Sequence, residues 1–177
     1  LAELRIEYTD GSVELIGTDS SWEVTENGPV RMADLYDGET YDATHETDGW
    51  HAAAPETLKI TPAITAEYGA PVTAHEVFKP VAVTTAPDGE TIYDFGQNFA
   101  GVIRISLQGS AGQVITVRHA EILNPDGTLN TTFLRSAKAT ATYTCRDGKQ
   151  TYSPRFTYMG FRYAGIKGVK PEYVNRK

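Results

Sequence analysis

The stretch Tyr93-Asp94-Phe95-Gly96-Gln97-Asn98-Phe99-Ala100-Gly101-Val102 decides the fold of this chain. It crowds aromatic, acidic, amide and glycine residues together and then gives way to alternation. Ile103, Ile105 and Leu107 stand against Arg104, Ser106 and Gln108. A period of two marks a half-buried strand with one wet face. The crowded run before it therefore reads as a shaped corner between strands rather than a generic loop. The strand-rich half that it opens ends in Phe156-Thr157-Tyr158-Met159-Gly160-Phe161-Arg162-Tyr163.

The same alternation appears on either side. Leu4, Ile6 and Tyr8 alternate with Arg5 and Glu7, and Val13 and Leu15 flank Glu14. Asp10-Gly11 between these runs predicts a hairpin with a type I′ turn. After Leu107, Gly109-Ser110-Ala111-Gly112 turns the chain into Val114-Ile115-Thr116-Val117-Arg118-His119. Pro87-Asp88-Gly89, Asp126-Gly127 and Asp147-Gly148 mark further turns. No stretch has sustained helical spacing with a cap and a stop. The nearest, Asp48 to Leu58, is alanine-rich but broken by Gly49 and Pro55, so it predicts at most one short helical turn. Turn spacing predicts roughly ten to twelve strands. The fold class is all-β, an antiparallel β-sandwich of the jelly-roll kind with few or no helices.

Pro62, Pro71 and Pro80 fall in a segment from Leu58 to Pro80 that predicts a boundary. Proline removes a ladder donor, so such a segment runs along an edge or crosses between sheets. The strands after Val81 are numerous enough to close a sandwich. Those before Leu58 are few, and about four strands rarely bury enough surface to stand alone.

Composition narrows the partners. The 177 residues carry a net charge of −7 with scattered acids, which argues against nucleic acid and against an anionic membrane surface. No apolar run approaches the length of a membrane span. Ten tyrosines and two tryptophans exceed what a core alone requires, and aromatic faces are common tools for holding sugars. The single cysteine, Cys145, excludes an internal disulfide and reads as a buried, inert thiol within the strand-like run Ala141–Cys145. The chain starts at Leu1 without a methionine, as a piece of something longer would.

A set of short blocks, in order, resembles bacterial α-L-rhamnosidases. In the first half these are Tyr8-Thr9-Asp10-Gly11-Ser12, Thr18-Asp19-Ser20-Ser21-Trp22, Gly28-Pro29 and Tyr36-Asp37-Gly38-Glu39-Thr40-Tyr41-Asp42-Ala43. In the second half they are Tyr93–Asn98 with Gly101, His119-Ala120-Glu121-Ile122-Leu123, Asp126-Gly127, Leu134-Arg135-Ser136-Ala137, and Pro154–Tyr158 with Gly160–Tyr163. Each block is weak alone, and their joint order is specific. The resemblance implies that residues 1–75 are the C-terminal portion of the family's N-terminal accessory domain. It implies that residues 76–177 are a concanavalin-like, jelly-roll domain. In that family the catalytic carboxylates sit on a helical barrel, and nothing here has that pattern, so no catalytic residue is carried over. Two positions depart from the family pattern. Thr44 stands where arginine is usual and Ala141 where aspartate is usual, and both lose a charge.

Six residues are candidates for carbohydrate contact. Asp37, Glu39 and Asp42 are three acids around Gly38, a pattern that can grip calcium in a flexible loop, although the spacing is not that of an EF-hand. A tight turn satisfying its own backbone donors is the plainer reading. Asp94, Gln97 and Asn98 could bind sugar hydroxyls beside Tyr93 and Phe95. The favoured alternative is a corner in which Asp94 and Asn98 bond local backbone. His119 and Glu121 are read as a buried hydrogen-bonded pair. Arg135 and Arg162 suit stacking or docking, and Trp22 and Trp50 could serve as sugar platforms, with core or edge packing the plainer reading. The expected role is a non-catalytic part of an enzyme hydrolysing terminal α-L-rhamnosides. Its partners would be the catalytic and other domains of the parent and rhamnose-containing glycosides. No cofactor is required, calcium being the one candidate. The alternative is a module binding L-rhamnose, with or without calcium.

Overall fold

The computed structural model describes residues 2–54, 63, 65–66 and 68–169. In chain order the strands are β1 (Glu3–Glu7), β2 (Val13–Gly17), β3 (Glu23–Val24), β4 (Val30–Asp34), β5 (Gly38–Asp42), β6 (His51–Ala52), β7 (Ala82–Thr85) and β8 (Thr91–Gly101). There follow β9 (Ile105–Gly109), β10 (Val114–Ala120), β11 (Ile122–Leu123), β12 (Leu129–Asn130), β13 (Thr140–Thr144), β14 (Gly148–Tyr152) and β15 (Met159–Lys167). A single 3-10 turn, Thr132–Leu134, is the only helical element among the described residues. The all-β expectation holds. The strands outnumber the expectation because β3, β6, β11 and β12 are two-residue ladders, too short for alternation to reveal. Of the turn expected between Asp48 and Leu58, the described residues 48–54 instead carry β6. The described part of the proline segment, to Pro80, has no strand.

The chain forms two compact units, residues 1–27 with 47–73, and residues 28–46 with 74–177. The first contains the β1–β2 hairpin and the β3–β6 ladder. The turn of that hairpin corrects the type I′ expectation. Gly11 N–H donates to Tyr8 O (3.0 Å), Tyr8 N–H donates to Ser12 O (2.9 Å), and only Gly11 has positive φ, at 84°. A type I′ turn needs positive φ at both central residues, so this is a type I turn closed by a glycine bulge. Asp10 Oδ1 fixes it by accepting from Ser12 N–H and Oγ–H. The same construction recurs at Ala86–Glu90 and Asn124–Thr128.

The second unit is the sandwich. Its main sheet has the order β4-β5-β13-β10-β15-β8-β7, antiparallel except for β5 beside β13. β9 and β14 pair as a second, smaller layer. The alternation read from the sequence decides what lies between them. Ile105 and Leu107 of β9, Ile115 and Val117 of β10, Ala141 and Tyr143 of β13, and Phe161 of β15 belong to one buried cluster. Cys145 belongs to it too, fully buried with its thiol pKa pushed up by desolvation, as expected for an inert thiol. A smaller cluster of Ala86, Ile92, Ala120 and Leu129 lies apart from it. A buried Glu90 carboxylate takes a bidentate grip from Arg118, on β10. It fits only because β15 carries Gly165: a Cβ there would lie 2.4 Å from the carboxylate carbon.

His119 is buried in the same unit. Its Nδ1 lies 2.8 Å from the Ala139 carbonyl oxygen, which requires the proton on Nδ1. Its Nε2 has no partner among the described residues, and its ring meets Phe161 edge to face at 4.7 Å. Glu121 accepts instead from Asn98 Nδ2 (3.0 Å), so the expected His119–Glu121 pair is not formed. The reason is that β10 ends at Ala120, and Glu121 leaves the strand face that His119 occupies. A charged imidazolium at 119 would have a buried donor with nothing to receive it, and desolvation lowers the pKa from 6.5 to about 4. The unfolded chain therefore binds more protons between these values. Stability is fully present above about pH 6.5 and falls by about 3 kcal/mol as the pH drops to about 4. Urea unfolding across that range should show this loss in the wild type and not in His119→Gln. Parallel curves for the two proteins would exclude His119 as the linked group.

Candidate functional site

β5 carries the first set of sequence candidates, and the structure separates them. Asp37, just before the strand, pairs through Oδ2 with Lys138 Nζ (2.9 Å). Asp42 turns back on its own loop, accepting from Thr44 N–H (2.9 Å) and Oγ1–H (2.6 Å), and the hydroxyl bond is the main cause of its lowered pKa. Glu39 points into the sandwich and is 1% exposed. Its Oε1 accepts from Tyr152 O–H (3.0 Å), and its Oε2 from the backbone N–H groups of Arg155 (2.9 Å) and Phe156 (3.1 Å). Three acids close in sequence thus have three separate jobs. Among the described residues no group of three or more His, Cys, Asp or Glu side chains is placed to hold a metal ion.

The second set lies on the crowded run. Phe99 pairs with Phe161, and Asp94 pairs with Tyr163, so five steps on β8 face two on β15. The surplus residues form a bulge, with Gly96 at φ 82°. Asp94 is its clasp. Its Oδ1 accepts from Gly96 N–H (2.7 Å) and Arg162 Nε–H (2.8 Å), and its Oδ2 from Arg162 Nη2–H (2.8 Å). The guanidinium holds the carboxylate below its usual pKa and lies 4.9 Å from the centre of the Tyr163 ring. Asn98 reaches the Glu121 side chain rather than local backbone, and Gln97 is exposed. Arg135, past the 3-10 turn, is exposed at φ 57°. Trp22 and Trp50 flank the β3–β6 ladder at 45% and 55% exposure, so neither is a core residue.

The feature that the sequence reading missed is a cavity of about 560 Å³ within the second unit. One wall is a stack of tyrosines. Tyr41 and Tyr143 are in register on β5 and β13, with ring centres 5.8 Å apart and planes 26° apart. Tyr152 of β14 lies on Tyr143 at 4.4 Å and 20°. Burial first, and then Glu39, push the Tyr152 hydroxyl pKa up, so it stays a donor. Tyr143 O–H donates to Gln150 Oε1 (2.8 Å), and Gln150 Nε2–H donates to the Arg146 (2.7 Å) and Gly148 (2.9 Å) carbonyls. Arg146, Arg155 and Phe156 form the exposed rim. Ala141 is in register with Glu39, so an acidic side chain there would crowd a second carboxylate into this buried layer. The only sequence signal was the two-residue spacing of Glu39 and Tyr41, which puts both on one strand face. The other residues meet across long sequence separations. Glu39→Ala should cost about 2–4 kcal/mol, because the buried Tyr152 hydroxyl and two part-buried backbone N–H groups lose their shared acceptor. A urea midpoint shift at constant m-value measures this, and a loss below about 1 kcal/mol would refute the anchoring role.

Comparison with known proteins places the chain. Residues 1–85 match the alpha-L-rhamnosidase N-terminal domain, and residues 84–177 match the bacterial alpha-L-rhamnosidase concanavalin-like domain. An alpha-L-rhamnosidase of Streptomyces avermitilis is 41% identical over 179 residues, covering 95% of this chain and 17% of the relative. One from Alteromonas sp. (strain LOR) is 35% identical over 184 residues, covering 95% of this chain and 19% of the relative. The crystal structure of the Streptomyces avermitilis enzyme complexed with L-rhamnose superposes with a TM-score of 0.86 at 39% identity, over 98% of this chain and 18% of that one. The chain thus spans under a fifth of the curated relatives' length, and it belongs to the bacterial α-L-rhamnosidase family, as that family's N-terminal and concanavalin-like regions.

Proposed function

We propose that this chain is a non-catalytic β-sandwich region of an α-L-rhamnosidase that supports a catalytic domain lying elsewhere in the parent. The observation that carries this reading is coverage. The match takes in nearly the whole chain but 17% and 19% of two relatives, and it falls on the N-terminal and concanavalin-like domains of that family. The acids support it as well. Glycoside hydrolysis uses two carboxylates flanking the scissile bond, one of them able to give up a proton. Here Glu39, Glu90 and Asp94 are each held by two or three donors that fix strands and loops. Phe133 and Tyr158 are exposed, and aromatic residues in such positions suit contact with a neighbouring domain.

A second reading, a saccharide-binding module, draws on one observation: the tyrosine-walled cavity with arginines at its rim. The two readings are compatible within one enzyme. The test of the first is direct. The purified chain should release no nitrophenol from 4-nitrophenyl α-L-rhamnoside above a blank. The same chain rejoined to the rest of its parent should hydrolyse that rhamnoside. Turnover by the isolated chain would overturn the non-catalytic reading.

A further inference from the structure

We infer that the cavity between β5, β13 and the segment after β14 binds an acidic saccharide, a sugar unit that carries a carboxylate. Its volume of about 560 Å³ lies within the usual range for small-molecule sites. The charge at its rim is the first argument. Arg118, Arg162, Lys138 and Lys167 each hold an acid in this protein. The guanidinium groups of Arg146 and Arg155 enter no salt bridge among the described residues, yet both line this cavity. A chain with a net charge of −7 therefore leaves two cations together at one opening. Guanidinium forks match carboxylates in bidentate geometry.

The acid in the lining is the second argument. Glu39 is the single carboxylate there among the described residues, and its oxygens already receive Tyr152 O–H and the backbone N–H groups of Arg155 and Phe156. It does not compete for the arginines. It fixes instead the backbone from which Arg155 and Phe156 project, so the recognising groups are held in place before the ligand arrives. The third argument is Phe156, 61% exposed at the rim, which offers a ring face to the C–H surface of a sugar. The choice of a saccharide over any other carboxylate rests on the accessory-domain reading above. The preference for a negative charge rests on the arginines alone.

Amide chemical-shift titration of the 177-residue chain tests this, with the α-1,4-linked dimer of D-galacturonate as the acidic probe. D-galactose is the neutral control, acetate the bare carboxylate, and a glutamate-rich peptide the non-sugar polyanion. The galacturonate dimer should give saturable shifts centred on residues 151–156 and 43–45. Binding should weaken at least tenfold in Arg146→Ala and in Arg155→Ala, whose exposed side chains leave the fold intact. Galactose and acetate should each bind at least tenfold more weakly than the dimer. Absent binding, or binding indifferent to both arginine variants, overturns the site. Equal binding of galactose overturns the preference for charge. Equal binding of acetate or of the peptide overturns the saccharide class. The nitrophenol assay reads the accessory-domain reading separately, since the cavity plays no part in it.

Discussion

A carboxylate taken out of water must be met by donors, and the Glu39 carboxylate organises this protein on that ground. β5 arrives early in the chain, yet it lies parallel to β13, about a hundred residues on. Parallel pairing needs a long crossover, and little in the local sequence announces it. Glu39 fixes the register. It receives the hydroxyl of Tyr152 from the opposite layer and two backbone donors from the segment beyond β14. With that register Tyr41 falls beside Tyr143, Tyr152 closes the stack, and the cavity follows from the placement of the three rings.

The β8–β15 seam solves a second problem of the same kind. A long strand must bend across the sandwich without losing its buried face. The bulge at Gly96 absorbs the surplus residues, and Asp94 ties the bulged strand to Arg162 across the ladder. Glu90, just before β8, is held in turn by Arg118 of β10, in space that Gly165 of β15 leaves open. Most of these acids serve the scaffold. This division of labour accords with the proposed supporting role, and the inferred binding site draws on groups that the scaffold does not consume, Arg146 and Arg155.

Much of this was legible beforehand. Alternation named the buried faces of β9 and β10 because a strand presents every second residue to the core, whatever its partner. Asp-Gly pairs located the turns, although not their type, since that depends on φ at both central residues. The crowding around Asp94 did not mark a corner between strands: it lies inside the single strand β8, as the bulge that clasps β8 to β15. The His119–Glu121 pair failed because a strand end falls between the two, and periodicity does not report where a ladder stops.

The sequence by itself determined the fold class, the inert thiol of Cys145 and the family, because each depends on local composition or on motifs read in order. Only the tertiary structure decided that Gly28–Glu46 packs with the C-terminal sandwich. It alone separated Asp37, Glu39 and Asp42 into an ion pair, a buried anchor and a turn. It alone gathered Tyr41, Tyr143 and Tyr152 with two arginines around one cavity. The physical reason is range. Turns and alternation are set by neighbours a few residues away, whereas buried charge and cavities are set by strands that meet across a hundred residues of chain.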